Sequence, residues 1–424
     1  MKKLAYFVLL TLLAVSCGQE NAPENHTLHP DNDNGGLTLP EGFSALVVAD
    51  NVGRGRHIEV NENGDIYVSL RQNDGNRGIA CLRDTSGNGK ADIIEYAGEH
   101  TGTGIKLHNG YLYFGADSAV VRYPMQEGEL KPGNSWELIA RGFPQEGQHE
   151  AKPMEFDGQG NMYVTIGAPS NACMEQMRTK GSPGMDPCPI LDYAGGIWKV
   201  DENSLNQHYL EDGERYATGI RHAVATRWNN QVGELYAVQH GRDQLHQFFP
   251  EMYTTEESAE LPAEEFFLVT EGSDFGWPYC YYDHLQNSKV LAPEYGGDKT
   301  IQERCENKKP PIMAFPGHMA PNDLLFYTGG MFPEKYKNGA FIAFHGSWNR
   351  APEPQEGFFV VFVPFDGENP SGDWEVFADG FAGTEPVNST GDAEYRPCGL
   401  AQGPDGSLYV VDSNKGKVWR IIHS

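Results

Sequence analysis

Six short, continuously apolar runs recur along the chain, and each follows a turn rich in glycine, asparagine, aspartate or glutamate. The runs are rich in β-branched and aromatic side chains, which favour strands over helices. A continuous apolar run of this length predicts a strand that is buried on both faces. The runs are residues 66–69, 111–114, 162–165, 235–238, 341–344 and 408–411.

A further strand-like segment follows each run, as at 120–123, 196–200, 358–363 and 417–422. A turn, an inner strand, a second turn and outer strands make up one blade of a β-propeller. The repeats therefore predict an all-β fold, a six-bladed β-propeller, with the six runs as inner strands. We expect a strand near 43–49 to complete the last blade and close the ring.

Composition agrees with a turn-rich β protein and excludes some partners. The chain has 424 residues, with 50 Gly and 27 Pro, and a formal net charge of −27. So acidic a surface repels nucleic acid and anionic lipid headgroups. Length alone suggests roughly three domains at about 150 residues each, but a repeat architecture predicts one closed ring instead.

The N-terminus predicts export. Lys2 and Lys3 precede an apolar stretch, 4–15, that is too short to span a bilayer and suits a signal peptide. The segment before Cys17 resembles the lipobox of bacterial lipoproteins, so we expect Cys17 to carry the lipid. An ordinary signal peptide cut nearby is the alternative.

This organisation gives a signal peptide at 1–16, a flexible tether at 17–36 and the propeller at 37–424. The tether is predicted from its polar composition, which is too poor in apolar residues to fold. The predicted location is a membrane-anchored lipoprotein facing the periplasm or the cell exterior. Only the N-terminal lipid would contact the membrane.

Six cysteines remain after Cys17, and none of them forms a CxxC pair. An even number in an oxidising compartment favours disulfides over a zinc site. The two local pairings are Cys173 with Cys188 and Cys280 with Cys305. Cys81 with Cys398 is the remaining pair, and it requires the first and last units to be neighbours.

Several longer strings resemble the glucose/sorbosone dehydrogenase family, especially its sorbosone dehydrogenase branch. They are GQHEAKPMEF at 147–156, YATGIRHAV at 216–224, GELYAVQHGRDQL at 233–245, SDFGWPYC at 273–280, FHGSWNR at 344–350 and the stretch 395–421. These are soluble quinoproteins that bind pyrroloquinoline quinone (PQQ), and their fold is a six-bladed propeller. The resemblance implies oxidation of a sugar, a sugar-derived aldehyde or an alcohol, with an electron acceptor that the sequence does not identify.

The resemblance also implies roles for particular residues. His149 stands at the position of the family's catalytic base, a role that suits an imidazole near neutral pH; a surface histidine on a polar loop is the alternative. Arg221 matches an arginine that polarises the quinone oxygens. Arg396 matches one that binds a cofactor carboxylate, for which a guanidinium is well suited.

A bound Ca²⁺ is held in this family partly by backbone carbonyls, which Gly241 and Arg242 supply by position. Oxygen ligands of this kind suit Ca²⁺, and a tight turn is the alternative reading. Asp243 follows directly and is a candidate to contact the groups that bind the ion rather than the ion itself.

Other positions depart from the family pattern or fit it loosely. His222 replaces an asparagine and Lys152 replaces an arginine, and both are candidate cofactor contacts. Asn349 and Arg350 are further candidates for cofactor or substrate. Trp277 and Tyr279 either wall a sugar pocket or pack in the core.

Two other functions stay open. One is a propeller that binds glycan or protein without redox chemistry, as the changes at His222 and Lys152 favour. The other is a Ca²⁺-dependent lactonase, against which the dehydrogenase-like strings argue. A separate loop at 84–95 has the oxygen-rich spacing of a Ca²⁺ loop, but a polar hairpin turn explains it better.

Overall fold

The computed structural model describes residues 28–72, 75 and 77–424. Six antiparallel sheets form the blades of a ring, which confirms the predicted six-bladed β-propeller. The predicted signal peptide, Cys17 and the first part of the predicted tether lie outside the described residues. Residues 28–36 lie on the last blade, where Asp31 Oδ2 accepts from Val47 N at 2.7 Å and Asn34 Oδ1 accepts from Ala45 N at 3.0 Å.

Each blade has four main strands, and the first strand of each lies at the central tunnel while the fourth lies outermost. Blade 1 is Gly55–Val60, Ile66–Leu70, Ile79–Arg83 and Ile93–Ala97; blade 2 is Gly102–His108, Tyr111–Ala116, Ala119–Pro124 and Glu137–Arg141; blade 3 is Met154–Phe156, Asn161–Ile166, Gly196–Asp201 and Glu214–Thr218. Blade 4 is Ala223–Asn229, Glu234–Gln239, Glu264–Val269 and Met313–Phe315; blade 5 is Pro321–Phe326, Ala340–Phe344, Phe359–Val363 and Glu375–Ala378; blade 6 is Pro397–Gln402, Leu408–Asp412, Val418–His423 and Phe43–Ala49.

Insertions between the strands carry the remaining elements. Gln207–His208 and Ser273–Asp274 add short parallel strands outside blades 2 and 3, and two hairpins stand apart from the blades. The hairpins are Cys280–Asp283 with Ser288–Leu291 and Phe365–Asp366 with Asn369–Pro370. The α-helices are Leu245–Phe248 and Thr255–Glu260, and the 3-10 helices are Asn34–Gly36, Pro189–Asp192, Pro293–Tyr295 and Glu334–Tyr336. Among the described residues no helix is long and apolar enough to cross a membrane.

The ring closes through the N-terminal strand, as predicted. Phe43–Ala49 pairs antiparallel with Val418–His423, and Phe43 lies opposite His423. The first and last parts of the propeller therefore form one sheet. Phe43–Ala49 is the outermost strand of that sheet, so the closure joins the two ends of the propeller within one blade.

The six apolar runs are the second strands of the blades, which corrects their predicted position as inner strands. A second strand has a hydrogen-bonded neighbour on each side and packs against the adjacent blades on both faces, so its side chains are mostly apolar, with Ser69 and Thr165 as buried polar exceptions in the runs. The true inner strands line the tunnel and carry polar side chains such as Arg56, Arg227 and Asp323. For this reason they lack the apolar pattern that marks the second strands.

The disulfide predictions are confirmed for the local pairs and wrong for the distant one. Cys173 is bonded to Cys188, and Cys280 to Cys305. Cys81 and Cys398 are free and buried. Blades 6 and 1 are neighbours, but the Cys81 side chain packs in the interface between blades 1 and 2, whereas Cys398 lies on the inner strand of blade 6. The two thiols therefore belong to different interfaces.

The loop at 84–95 is a hairpin turn between the third and fourth strands of blade 1. Both carboxylate oxygens of Asp84 accept from backbone N–H groups of the turn, at 2.7 Å from Gly87 and 2.6 Å from Gly89. The preferred interpretation of this loop is confirmed.

A group of five charged side chains fills the tunnel, and we call it the tunnel network: Glu59, Lys106, Glu155, Arg227 and Asp323. Lys106 Nζ lies 3.1 Å from Glu59 and 2.9 Å from Glu155. Arg227 Nε donates to Leu324 O at 2.7 Å.

Candidate functional site

The candidate site is a cavity of about 260 Å³ at the end of the tunnel where the inner strands begin. The inner strands of blades 1, 4 and 5, the third strand of blade 4 and six loops contribute residues to it. Its polar lining comprises Arg56, His149, Arg221, His222, His240, Asp243, Glu264, His318, Asn322, His345, Ser347, Asn349 and Arg396, with Trp348 as an aromatic member. The cavity brings together three arginines and five histidines, a lining whose donors suit an anionic ligand.

Irregular strand starts place several of these side chains. Five inner strands change register with their neighbours within their first residues, at Gly55/Ile58, Gly102/Gly104, Ala223/Ala225, Pro321/Asp323 and Pro397/Gly399. A bulge of this kind redirects a side chain out of the regular alternation. Arg56, Val224 and Asn322 lie at such points and line the cavity.

His149 is held in a defined tautomer. Its backbone has φ 55°, and its Nδ1 donates to the carbonyl of Ala168 at 2.5 Å. A carbonyl only accepts, so the proton lies on Nδ1 and Nε2 keeps its lone pair. The ring stacks on His222 with centroids 4.5 Å apart. Gly167 makes this stack possible, because a Cβ there would lie 2.7 Å from His149 Cβ and 2.8 Å from His222 Nδ1.

The protonation of both imidazoles is suppressed. Burial, followed by the charge of Arg221, lowers the pKa of His149 to about 3. Burial and the neighbouring His149 hold the pKa of His222 well below its usual value. Both rings are therefore neutral at pH 7, and a negative ligand beside Arg221 would raise the proton affinity of His149.

Arg221 is fixed by hydrogen bonds to four residues, Asn171, His240, Gly241 and Asp243. Its Nη2 donates to Asp243 Oδ2 at 2.8 Å and to Asn171 Oδ1 at 3.1 Å. Its Nη1 donates to Gly241 O at 2.8 Å. Asp243 also accepts from Arg178 at 2.9 Å and from Asn349 at 2.7 Å. Burial opposes ionisation of Asp243, but the nearby cations hold its pKa below its usual value, so the carboxylate stays ionised and orients Arg221.

One of the two predicted calcium ligands lies against a cation. The carbonyl of Gly241 accepts from the Arg221 guanidinium, which repels a divalent cation. The predicted ligand at Arg242 is its backbone carbonyl, and its side chain lies outside the cavity, 2.7 Å from Glu294. Within the described part of the chain, no group of three or more His, Cys, Asp or Glu side chains has a metal-binding arrangement.

Arg396 lies in the cavity, as the resemblance implies. Its Nε and Nη2 donate to the carbonyls of His345 and Gly346, at 3.1 and 2.5 Å, and Nη2 also donates to His345 Nδ1 at 2.9 Å. Burial, with smaller effects from nearby arginines, lowers the pKa of Arg396 to about 10. The side chain is thus oriented by neutral groups and keeps an unneutralised charge.

Two predicted cofactor contacts lie elsewhere. Lys152 is buried behind His149, and its Nζ donates to Glu150 O at 2.7 Å. Arg350 is buried too, and it donates to Ala259 O at 2.7 Å and pairs with Glu260 at 2.7 Å. Both cations hold loops in place, and the side chains that reach the cavity are those of His149, Arg221, His222, Asn349 and Arg396.

The aromatic pair is part of the core. The Trp277 Nε1 donates to Asn171 O at 3.0 Å, and Tyr279 OH accepts from Cys188 N at 2.8 Å. Both rings pack beneath the disulfide-bonded loops, which is the core alternative of the sequence analysis. Trp348, by contrast, is 53% exposed and lines the cavity.

Sequence reasoning missed Arg56, His240, Glu264, His318 and His345, all of which line the cavity. Burial raises the pKa of Glu264 to about 7, although two backbone N–H groups bind its carboxylate. Arg56 could have been found from the sequence, because arginines also stand near the starts of the inner strands of blades 4 and 6, at 221 and 396. His240 and His345 closely follow two predicted strands, but the sequence does not show that their side chains enter a common cavity. His318 lies between two strands that the apolar pattern did not reveal.

The donors and acceptors suit a planar, polycarboxylated quinone. His222 Nδ1 and Asn349 Oδ1 are buried without a hydrogen-bond partner in the described part of the molecule, and so is Nε of Arg56. Buried polar atoms without partners are costly in a folded protein unless a ligand satisfies them. Arg56 and Arg396 can donate to carboxylate or carbonyl oxygens of a ligand, whereas Asn349 Oδ1 accepts only and pairs with a ligand N–H or O–H.

The fold and the cavity define a six-bladed propeller with an imidazole- and arginine-lined site at one end of its tunnel. The TrAA12-like family model matches residues 37–424, and the chain belongs to this family. The resemblance to PQQ-dependent sugar dehydrogenases is thereby confirmed.

Curated relatives are distant. An uncharacterized protein of Borreliella burgdorferi is 23% identical and covers 99% of this chain and 97% of its own length. The PQQ-dependent pyranose dehydrogenase of Coprinopsis cinerea is 25% identical over 57% of this chain, and the match spans only 36% of that protein.

Solved structures share the fold. The PQQ domain of the Coprinopsis cinerea pyranose dehydrogenase, in its holo form, has a TM-score of 0.73 at 17% identity and covers 91% of this chain and 97% of its own. A calcium structure of the Trichoderma reesei family AA12 enzyme has a TM-score of 0.74 at 16% identity, with 92% and 97% covered. The PQQ-bound aldose sugar dehydrogenase of Streptomyces coelicolor has a TM-score of 0.55 at 16% identity, with 91% and 100% covered.

Proposed function

We propose that this protein is a PQQ-dependent dehydrogenase that oxidises a sugar, a sugar-derived aldehyde or an alcohol. The observation that carries the proposal is the convergence of His149, Arg221 and Arg396 on one cavity. Membership of the TrAA12-like family and the named activity of the Coprinopsis cinerea relative support it. The electron acceptor is an unidentified partner.

His149 is the proposed general base. Its Nε2 lone pair is directed away from the Nδ1–H bond to Ala168 and accepts the proton of the substrate hydroxyl. PQQ, when bound, supplies the two-electron acceptor for the hydride that leaves the substrate carbon. The Ala168 carbonyl fixes the ring and stabilises the imidazolium that forms, as a carbonyl bonded to Nδ1–H does in other histidine bases.

Arg221 is the proposed electrostatic group. Asp243 and Asn171 hold its guanidinium in place, so it needs no reorganisation when negative charge develops beside it. Arg396 would hold a carboxylate of the quinone. His222 and Asn349 would contact the same ligand through their unpartnered atoms.

Calcium is included in the proposed assay only as a component that is added or left out. The resemblance implies a Ca²⁺ at the carbonyls of Gly241 and Arg242, but Arg221 occupies the first of these. No step of the proposed mechanism depends on the ion.

Export and lipid anchoring remain proposals as well. The two disulfides support an oxidising compartment. Anchoring through Cys17 predicts that a radiolabelled fatty acid is incorporated by the natural chain and not by Cys17→Ser. Equal labelling of both chains would contradict it.

The function is tested by reconstituting the apo-protein with PQQ, with and without added Ca²⁺, and measuring reduction of an artificial electron acceptor. A panel of neutral aldoses, aldehydes and alcohols supplies the substrate. We expect turnover with at least one of them, and none without PQQ. His149→Gln should lose turnover, while His284→Gln, which changes a histidine that does not line the cavity, should keep it. Tight binding of PQQ without turnover in any condition would favour the non-catalytic alternative.

A further inference from the structure

Arg56 is the one arginine of the cavity to which the resemblance assigns no role. It stands at the start of the inner strand of blade 1, where the register shift between Gly55 and Ile58 redirects its side chain. The other two cavity arginines, Arg221 and Arg396, are tied to several protein groups. Arg56 differs from both.

The Arg56 guanidinium has no hydrogen bond or ion pair with any described residue, and its Nε is completely buried. An unpaired guanidinium that is partly withdrawn from water is costly, because water no longer solvates it fully and no counter-ion replaces the water. Its charge acts on the cavity, where it lowers the pKa of Arg396 after the larger effect of burial. Two like charges without an intervening anion repel each other.

The backbone at Arg56 is nevertheless held firmly. The neighbouring Gly399 leaves no space for a Cβ, which would lie 2.4 Å from Arg56 O, and a Cβ on Gly55 would lie 3.0 Å from Asp412 O. His57 is bonded on both sides, with its N donating to Ser69 Oγ at 3.0 Å and its Nε2 donating to Asn322 O at 2.8 Å. A cation is therefore fixed at the cavity wall without a protein partner.

We propose that Arg56, together with Arg396, binds a carboxylate of the ligand that occupies the cavity. The inference rests on the proposed function in one respect, namely that the natural ligand includes a carboxylated quinone. A carboxylate between the two guanidiniums removes their repulsion and completes the hydrogen bonding of Arg56. The same chemistry serves an acidic sugar, so the test has to separate cofactor from substrate.

The test measures the Kd of PQQ for the apo-protein by titration calorimetry. Arg56→Gln should weaken binding about tenfold or more, and Arg56→Lys should recover part of the loss. Arg54→Gln is the matched control, since Arg54 is exposed and does not line the cavity, and it should change the Kd less than twofold. Circular dichroism and the thermal midpoint check the fold, and ligand-free Arg56→Gln should be at least as stable as the natural protein.

A second arm identifies the source of the carboxylate. With PQQ bound, glucuronate and glucose are compared by thermal shift in the natural protein and in Arg56→Gln. If only PQQ binding weakens, the carboxylate belongs to the cofactor. If only glucuronate binding weakens, it belongs to the substrate. If neither changes by more than threefold, the proposal is wrong.

A third probe tests the carboxylate site at Arg56 even if the proposed function is wrong. If the natural protein does not bind PQQ, the proposed function fails, and pyridine-2,6-dicarboxylate replaces PQQ in the same titration. Binding of this probe by the natural protein and its loss in Arg56→Gln would still support a carboxylate site at Arg56. The absence of binding in both proteins would overturn the site as well.

Discussion

The two regions along the tunnel use charge in opposite ways. In the tunnel network, Arg227 lies 3.7 to 4.0 Å from three carboxylates; burial opposes its charge, but the carboxylates raise its pKa overall. In the cavity, Arg396 is bonded to neutral groups and its pKa is lowered to about 10. The same residue type is thus neutralised in one region and left charged in the other.

This difference separates stability from function. A buried cation with its counter-ions in place holds the inner strands together, and its loss leaves carboxylates uncompensated. A buried cation without counter-ions does not stabilise the folded state, because its desolvation is not compensated, and it favours an anionic ligand. In a protein with a net charge of −27, keeping cations unpaired at one point requires that the nearby carboxylates be excluded or already bonded. Asp243 and Glu264 are carboxylates that are already bonded. Asp243 accepts from Arg221, and Glu264 accepts from the backbone N–H of Gly241.

The largest expected effect is on stability at the tunnel network. Arg227→Met should lower the free energy of unfolding by roughly 3–5 kcal/mol, because Asp323 loses its ion pair and Lys106 alone then faces both Glu59 and Glu155. Arg56→Met, a matched change in the cavity, should lower it by less than about 1 kcal/mol. Urea unfolding of the two variants measures both values. Equal losses would remove the distinction between the two regions.

The next effect is on turnover. His149→Gln should reduce kcat of the PQQ-loaded enzyme by about 100-fold or more, the usual contribution of a general base. Its unfolding free energy should stay close to that of the natural protein, because glutamine can still donate to the Ala168 carbonyl. A loss of kcat accompanied by a large loss of stability would point to a structural role for this histidine.

A smaller effect is the dependence of stability on pH. Burial lowers the pKa of His57, His149, His222, His240, His318 and His345, all in or next to the cavity. Each is neutral in the folded state, whereas in the unfolded chain each binds a proton below about pH 6.5. The contribution of these histidines to the free energy of unfolding is therefore fully present above pH 6.5. It is lost as the pH falls toward about 4 and 3, the pKa values of His240 and His149 in the folded protein.

Urea midpoints at pH 7.5, 6 and 5 test this dependence. In a plot of urea midpoint against pH, His240→Gln should reduce the slope, while Arg227→Met should lower all midpoints without changing the slope. A midpoint that does not change between pH 7.5 and 5 would contradict the buried, neutral state of these rings.

The number of blades, the closure of the ring by residues 43–49 and the two local disulfides were predictable from sequence. Each depends on a local signal, such as an apolar run, a turn or a short loop between cysteines. The resemblance also placed His149, Arg221 and Arg396, which the structure brings into one cavity.

What sequence could not show is the direction of a side chain. Lys152 is three residues from His149 and yet lies behind it, and Arg350 follows Asn349 but turns into the loops. The inner strands were missed because their polar tunnel-facing residues interrupt the apolar pattern. Arg56 and Cys81 depend on the radial position and the interface of a strand, which are set only when all six blades are assembled.

The central claim is that the cavity holds a quinone ready to accept electrons from a sugar. The most direct measurement is the absorbance spectrum of the protein with bound PQQ, recorded before and after substrates of the sugar panel are added under anaerobic conditions. The account predicts that the quinone band changes to that of the reduced quinol with at least one substrate, and that His149→Gln shows no such change. Bound PQQ whose spectrum stays that of the oxidised quinone with every sugar, aldehyde and alcohol would contradict it.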